Sequence, residues 1–254
     1  MPLFQLFKEY LKKDQGVTLA TVVRGPEALL GQKALIPADA PAVGPLLDSP
    51  LAADIIKEAQ QLMVQRTSTT HHYSLPIDAA GIEVFFEVHT PAPRLIIVGA
   101  VHIAADLIYY AKPLGLRTYL VDPRTAFATA ERFPHVDVML PTWPDEALPE
   151  IGLTAETSVV VVTHDPKLDD PALKIVLPSP AQYIGALGSP KTHAKRLERL
   201  LAEGVAPEHL QRLHAPIGLN IGGRTPAEIA LSIIAEIVAV RNSIPVADRE
   251  PRHN

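Results

Sequence analysis

The chain has 254 residues, 47% of them hydrophobic, and a formal net charge of −5. That length supports one large domain or two modest ones with a real core, and the lack of a Lys/Arg block excludes a nucleic-acid or anionic-membrane surface. There is no cysteine, which excludes a disulfide framework, a thiolate metal site and a cysteine nucleophile. The N-terminal stretch MPLFQLFKEYLKKDQG is amphipathic but carries Lys and Glu throughout, unlike a signal peptide. The apolar region around 95–111 is broken by His102 and Asp106, short of the ~20 clean residues of a membrane span. A soluble cytoplasmic protein is expected.

In chain order, Thr18–Val23 is predicted as a strand and PADAPAVGPLLDSP as a Pro-rich connection. Leu51–Gln65 is predicted as a helix, and His71–Leu75 and Ile82–His89 as strands separated by a turn at Asp78-Ala79-Ala80-Gly81. Residues 1–90 therefore read as a small α+β domain, ending at the linker-like Thr90-Pro91-Ala92-Pro93. From there strands and helices alternate. Leu95–Val98, Leu116–Val121, Val136–Leu140, Glu156–Thr163 and Tyr183–Gly188 (with its turn) are predicted strands. Ala104–Ala111, Phe127–Phe133, Pro171–Leu177, Lys191–Glu203 and Pro226–Asn242 are predicted helices. Thr225, Pro226 and Glu228 form the capping-box signature of the last one. This alternation predicts an α/β fold: a Rossmann-like parallel sheet over 94–245, with helices on both faces, behind the smaller domain. Residues 246–254 read as a polar, flexible tail.

The turn after the first of these strands reads Gly99-Ala100-Val101-His102-Ile103-Ala104. Gly99 and Ala104 fit the first and third positions of a dinucleotide fingerprint, but Val101 stands where the second glycine lets backbone approach a pyrophosphate. A β-branched side chain there crowds that position and tolerates a positive φ poorly. Asp122 ends the next strand, where a ribose-binding acid sits, and Arg124 is within reach of a phosphate. An NAD(P) site therefore stays open as an alternative to a Rossmann fold whose turn holds no dinucleotide.

Five stretches together resemble the XdhC/CoxI family, maturation factors of xanthine dehydrogenase and carbon monoxide dehydrogenase. They are LIIVGAVHIAADLIYYAKPLGLRTYLVDPR, ERFP, VVVVTHDPKLDDPAL, YIGALGSPKT and PIGLNIGGRTPAEIALSIIAEIVAVRN, in the family's order, and they cover nearly all of 93–242. The resemblance implies a smaller N-terminal domain before a Rossmann-type domain and a tendency to form homodimers. It also implies a protein that binds molybdenum cofactor, protects it, supports its sulfuration and delivers it to an apo molybdenum hydroxylase such as a xanthine dehydrogenase. Three departures stand out. The family's usual GAGH is Gly99-Ala100-Val101-His102 here; its Gly-Ser-x-Pro-Arg stretch is VVRGPEALLGQ; its Gly-Gly-Cys motif, whose cysteine is thought to contact the cofactor, falls near AVGPLLDSP.

Ligands of open α/β sheets bind at the carboxyl ends of the strands, and the unusual polar residues cluster at those predicted ends. The candidate cofactor-binding residues are Gly99, His102, Asp122, Arg124, His164, Asp165, Gly185, Gly188 and Ser189. His102, retained in the family motif, either donates to a ligand oxygen, ligates a metal, or only sits at a helix start, hydrogen-bonded to a neighbouring loop. His164 and Asp165, with Asp169 or Asp170, either form an acid/base or metal pair or serve a turn; their spacing names no metal. Gly188 and Ser189 open onto a helix start suited to an anion such as the cofactor's phosphate. The leading reading is a cofactor-binding maturation factor rather than a turnover enzyme. The alternatives are an NAD(P)-linked oxidoreductase and an interaction scaffold that has lost its ligand.

Overall fold

Alternate residues of the first strand go to opposite sides of a sheet, and each side is covered by a helix. The computed structural model describes residues 2–75 and 78–244 and divides the chain into two units, Met1–Pro91 and Ala92–Asn254. In the first unit, β1 (Val17–Arg24), β2 (Lys33–Pro37), β3 (Thr69–Leu75) and β4 (Asp78–His89) form an antiparallel sheet in the order β2-β1-β4-β3. Val17, Leu19 and Leu35 pack with Phe7 of α1 (Leu3–Lys12). Ala20, Val22, Ala34 and Ile36 pack with Ile55, Ala59 and Leu62 of α2 (Ala52–Gln65). The period of two along β1 and β2 thus places one helix on each face.

Two features of this unit differ from the sequence prediction. β2 is a strand that its short KALIP segment, followed by a Pro-rich run, does not announce. Its pairing with β1, from Val17 opposite Pro37 to Thr21 opposite Lys33, creates it. Asp78–Gly81 is the start of β4 and not a turn, because Asp78 already pairs with Leu75. Gly81 has φ +64°, and a Cβ there would stand 2.3 Å from the Tyr73 carbonyl oxygen. The glycine serves a local irregularity in the strand pair, which shifts register between Tyr73 and Leu75. The predicted tail at 246–254 lies outside the described residues.

The second unit is the predicted parallel sheet. Its strands are β5 (Arg94–Val98), β6 (Arg117–Val121), β7 (Val138–Leu140), β8 (Thr157–Val161), β9 (Tyr183–Ala186) and β10 (Leu213–His214), ordered β10-β9-β8-β5-β6-β7. Helices α3 (His102–Ala111), α4 (Pro144–Ile151), α5 (Pro166–Val176), α6 (Pro190–Ala202), α7 (Pro207–Leu210) and α8 (Pro226–Arg241) connect or follow them. Leu95 and Ile97 face one layer, with Ala104 and Leu107 of α3 and Ile233 and Ile237 of α8. Ile96 and Val98 face the other, with Ala147 and Leu148 of α4, Ala172 and Leu173 of α5 and Leu200 of α6. Every residue of β8 is buried, as a central parallel strand requires. The chain leaves β5 toward β6 and β7 and later returns to β8 on the opposite side. The switch point of the sheet therefore lies between the carboxyl ends of β5 and β8.

Here too the structure corrects particulars. Phe127–Phe133 is a run of tight turns and not a helix: the Arg124 carbonyl takes the amides of Phe127 and Ala128 and the Thr129 carbonyl those of Arg132 and Phe133, with no continuous ladder joining the two. α5 begins at Pro166 and carries Pro171 inside it, so the proline that reads as a helix start sits one turn in. α4 follows Trp143-Pro144, a helix start that the sequence reading passes over. At α8 the capping box forms. Thr225 Oγ1 accepts from the Glu228 amide at 3.3 Å and Glu228 Oε2 accepts from the Thr225 amide at 3.0 Å. The Thr225 and Arg224 amides, both donating to Oε2, hold the Glu228 carboxyl below its ordinary pKa. No helix among the described residues is long and apolar enough to cross a membrane.

Candidate functional site

The carboxyl edge of the parallel sheet is built from four loops, and the first is shaped by a glycine. Gly99 has φ +120°, and a Cβ on it would stand 2.5 Å from Thr163 Cγ2, in the loop after β8. The missing side chain thus lets the two loops flanking the switch point touch. Gly99→Ala is expected to cost about 2–4 kcal/mol, combining backbone strain with overpacking, as read by chemical denaturation. A loss below ~0.5 kcal/mol would show that the loops part freely, at the level of an ordinary surface change.

Val101, the N-cap of α3, has φ −103° and ψ 171°. No positive φ is demanded of it, so the β-branched residue sits there without backbone strain. Its side chain is half-buried against the aliphatic layer that α3 shares with α8. His102 beside it is exposed on the first turn.

Asp122 is fully buried at the end of β6 and surrounded by donors. Its Oδ1 accepts from the Arg124 amide and Arg124 Nε, both at 2.9 Å. Its Oδ2 accepts from Arg124 Nη2 and the Ala100 amide, both at 2.7 Å. Burial pushes the carboxyl pKa up, but the Arg124 side-chain bonds and the two amides outweigh it and hold the carboxyl below its ordinary value. Both oxygens are engaged, so the residue that reads as a ribose acid works as a brace between the turn after β5 and the loop after β6. Arg124, a third exposed, has its pKa raised chiefly by the bonds to Asp122, with Asp165 and Asp169 adding to the field. Its guanidinium also stands 5.0 Å from the Phe127 ring centre.

After β8, His164 is exposed and holds φ +63°, a left-handed conformation rare in a residue other than glycine. Asp165 caps α5, accepting from the Lys167 amide at 3.0 Å. The two following acids are already paired. Asp169, 3% exposed, accepts from the Thr163 hydroxyl and meets Arg196 Nη2 at 3.1 Å. Asp170 takes Arg199 on both oxygens, Nε at 2.5 Å and Nη2 at 3.0 Å. Burial pushes Asp169 up, against the pull of Thr163 and Arg196. The acid pair that the sequence offers as metal ligands or acid/base groups is thus met by two arginines of α6. No cluster of three metal-binding side chains occurs among the described residues.

The loop after β9 carries the remaining candidates. Gly185 is inside the strand, where a Cβ would stand 2.5 Å from Ile217, so this glycine serves packing within the unit. Gly188 and Ser189 lie beyond it, at the entrance to α6. Ser189 Oγ accepts from the Thr192 amide at 3.2 Å, its carbonyl takes the His193 amide at 2.9 Å, and Pro190 has no N–H. Much of the backbone donor set expected to hold an anion is therefore spent on capping. The cations stand beside it instead. Lys191, Lys195, Arg196 and Arg199 line an open cavity of about 160 Å³, together with His164, Thr192 and Asp169. Sequence reading passes over these four residues. Their signal is the spacing of Lys191 to Lys195 and of Arg196 to Arg199, four and three places apart on one helix.

Glu236 of α8 is fully buried and paired. It accepts from Tyr183 Oη at 2.5 Å and the Gly218 amide at 2.8 Å, and lies 3.1 Å from His214 Nδ1. It thereby pins the glycine-rich segment before α8 to β9 and β10.

With this geometry in hand, comparisons with known proteins agree on one group. Residues 95–237 match the family model described as the XdhC Rossmann domain. Over 183 residues the chain is 33% identical to a Bacillus subtilis protein described as a probable xanthine dehydrogenase subunit, covering 72% of this chain and 53% of that protein. It is 28% identical over 184 residues to the Escherichia coli molybdenum cofactor insertion chaperone PaoD, covering 72% and 49%. It is 31% identical over 232 residues to Escherichia coli YqeB, covering 87% and 42%. The chain thus spans about half the length of the curated relatives it matches. A crystal structure described as a xanthine dehydrogenase from Bacillus halodurans shares the fold, with a TM-score of 0.55 and 21% identity over 98% of both chains. The matched region contains every candidate residue of the sheet edge, from Gly99 to Ser189, and the chain belongs to the XdhC family.

Proposed function

We propose that this chain is an accessory factor in the maturation of a molybdenum hydroxylase. It binds molybdenum cofactor, or a related phosphorylated pterin, at the carboxyl edge of its parallel sheet and delivers it to a xanthine dehydrogenase-like apo-enzyme. In this reading residues 1–90 and 94–245 are separate domains, the edge belongs to the second, and the protein acts as a homodimer. The relatives described as a cofactor insertion chaperone and a xanthine dehydrogenase subunit support the role. The observation on the chain itself that carries it is the cation-rich edge. Arg196 is buried there with Nε and Nη1 lacking partners among the described residues, while His102 and His164 are exposed on the neighbouring loops.

The cofactor supplies the metal–dithiolene chemistry of the target enzyme. The chain's own residues bind and orient its anionic end. Gly99 and the Asp122–Arg124 pair shape the edge; His102, His164, Asp165, Gly188 and Ser189 stand on it. A nicotinamide dinucleotide has less support, because Asp122, at the ribose-acid position, has four N–H donors on its two oxygens.

The test is anaerobic binding of purified molybdenum cofactor, with NAD(H), NADP(H), ATP and CTP in parallel, followed by recovery of activity in an apo-hydroxylase. Low-micromolar cofactor binding and transfer are expected. His164→Ala is expected to weaken cofactor binding about tenfold with less than ~1 kcal/mol of lost stability, since the side chain is exposed. Binding of a nucleotide alone, or of nothing, overturns the reading.

A further inference from the structure

A buried guanidinium with idle donors needs an explanation, because unpaired buried N–H groups are costly and uncommon. Arg196 is 1% exposed. Its Nη2 serves Asp169 Oδ2 at 3.1 Å and the Leu187 carbonyl at 2.9 Å. Its Nε and Nη1 have no partner among the described residues. Nη1 lies beneath the entrance to α6, 3.6 Å from where a Gly188 Cβ would stand. Arg196 lines the cavity there, and so do Lys191 and Lys195, which are exposed, four places apart on α6, and in no ion pair among the described residues. Arg199 is matched by Asp170, and Asp169 is the one carboxylate on the lining. The thirteen-residue α6 points its N-terminus at the same space.

We propose that this cavity seats a phosphate group, held by Lys191, Lys195 and Thr192 at its mouth and by the idle Arg196 nitrogens at its floor. A volume of about 160 Å³ is below the ~300 Å³ at which pockets for whole small molecules begin, so it takes the anionic end of a ligand and leaves the rest outside. With Arg199 matched by Asp170 and Arg196 facing Asp169, Lys191 and Lys195 leave the lining with an excess of positive charge, which selects an oxyanion over a neutral group. The assignment deepens the maturation reading by placing the phosphate of the phosphorylated ligand. It rests on that reading for the ligand's identity and not for the site.

The experiment titrates inorganic phosphate into the full chain by calorimetry at fixed ionic strength, with chloride as the control. A Kd on the order of 1 mM is expected. Lys191→Gln with Lys195→Gln, two exposed changes, should weaken it by about tenfold or more, the worth of one lost charge-assisted hydrogen bond. Arg196→Lys keeps the charge on Asp169 but loses the fork and should weaken it similarly, with folding checked by circular dichroism. No phosphate binding, equal displacement by chloride, or unchanged affinity in the double lysine variant overturns the site. The cofactor arm separates the two readings. Phosphate that competes with bound cofactor supports the placement. Cofactor that binds indifferently to phosphate and to the lysine variants overturns the placement while the maturation role stands. Phosphate binding without cofactor binding upholds the site and overturns the role.

Discussion

Asp122→Asn is expected to destabilise the protein by about 3 kcal/mol at neutral pH, the low end of what losing one partner of a buried ion pair costs. The low end applies because Arg124 keeps 35% of its side-chain surface exposed and can turn to water. The carboxylate accepts four N–H groups: two from the Arg124 side chain, one from the Arg124 amide and one from the Ala100 amide. An asparagine of the same shape has one acceptor oxygen, and its amide N–H groups face donors, so at least two of these bonds are lost. The folded pKa of Asp122 lies below the ordinary value of 3.8. The stabilisation is therefore complete above the unfolded pKa and is lost as pH falls through the folded one. Urea denaturation of both proteins at pH 7 and near pH 3 checks this. The gap should be widest at pH 7 and narrow in acid. Equal midpoints at pH 7, or a gap that grows in acid, would refute the brace between the two loops.

Asp169→Ala is expected to cost more, about 4 kcal/mol, because its partner has nowhere to go. Asp169 is 3% and Arg196 1% exposed. Removing the carboxylate leaves a buried guanidinium whose remaining bond in the structure is the Leu187 carbonyl. Arg196→Met in the same protein should recover part of the loss by removing the stranded charge, so the two changes are non-additive by at least ~1 kcal/mol. The double-mutant cycle, run on denaturation free energies in phosphate-free buffer, measures this directly. Additivity would show that the two residues do not act as a pair. The Asp170–Arg199 pair beside it, with Arg199 about a third exposed, should show a markedly smaller coupling and is the internal control.

The two pairs also explain why the site was only half legible. Gly99, Asp122 and His164 are visible in the sequence because each breaks a local pattern: a glycine after an apolar run, an acid at a strand end, a histidine before Asp-Pro. Their work is not visible, because it depends on what faces them. Asp122 reads as a ligand contact until the Ala100 amide and Arg124 are seen on it, and Gly185 reads as part of a binding loop until Ile217 is found against it. The cations of α6 read as an ordinary solvated helix face, since nothing local says that α6 lies against the acids of α5.

The same division runs through the fold. Local chemistry in the sequence determined the central strands, whose unbroken aliphatic runs suit burial on both faces, and helices such as α8, whose Thr225, Pro226 and Glu228 start it without outside help. The alternation of those elements determined a parallel sheet with helices on both sides. Tertiary structure decided the rest. β2 exists because β1 offers it a ladder. The start of β4 is set by its pairing with β3 and not by the Asp78–Gly81 composition. The polar pairing at the sheet edge joins groups more than twenty residues apart, the Asp169 carboxylate with Arg196 and the Ala100 amide with Asp122. The physical reason is range. Propensity, capping and periodicity act within a turn or two of chain, whereas burial and ion pairing act between whatever surfaces the fold brings together.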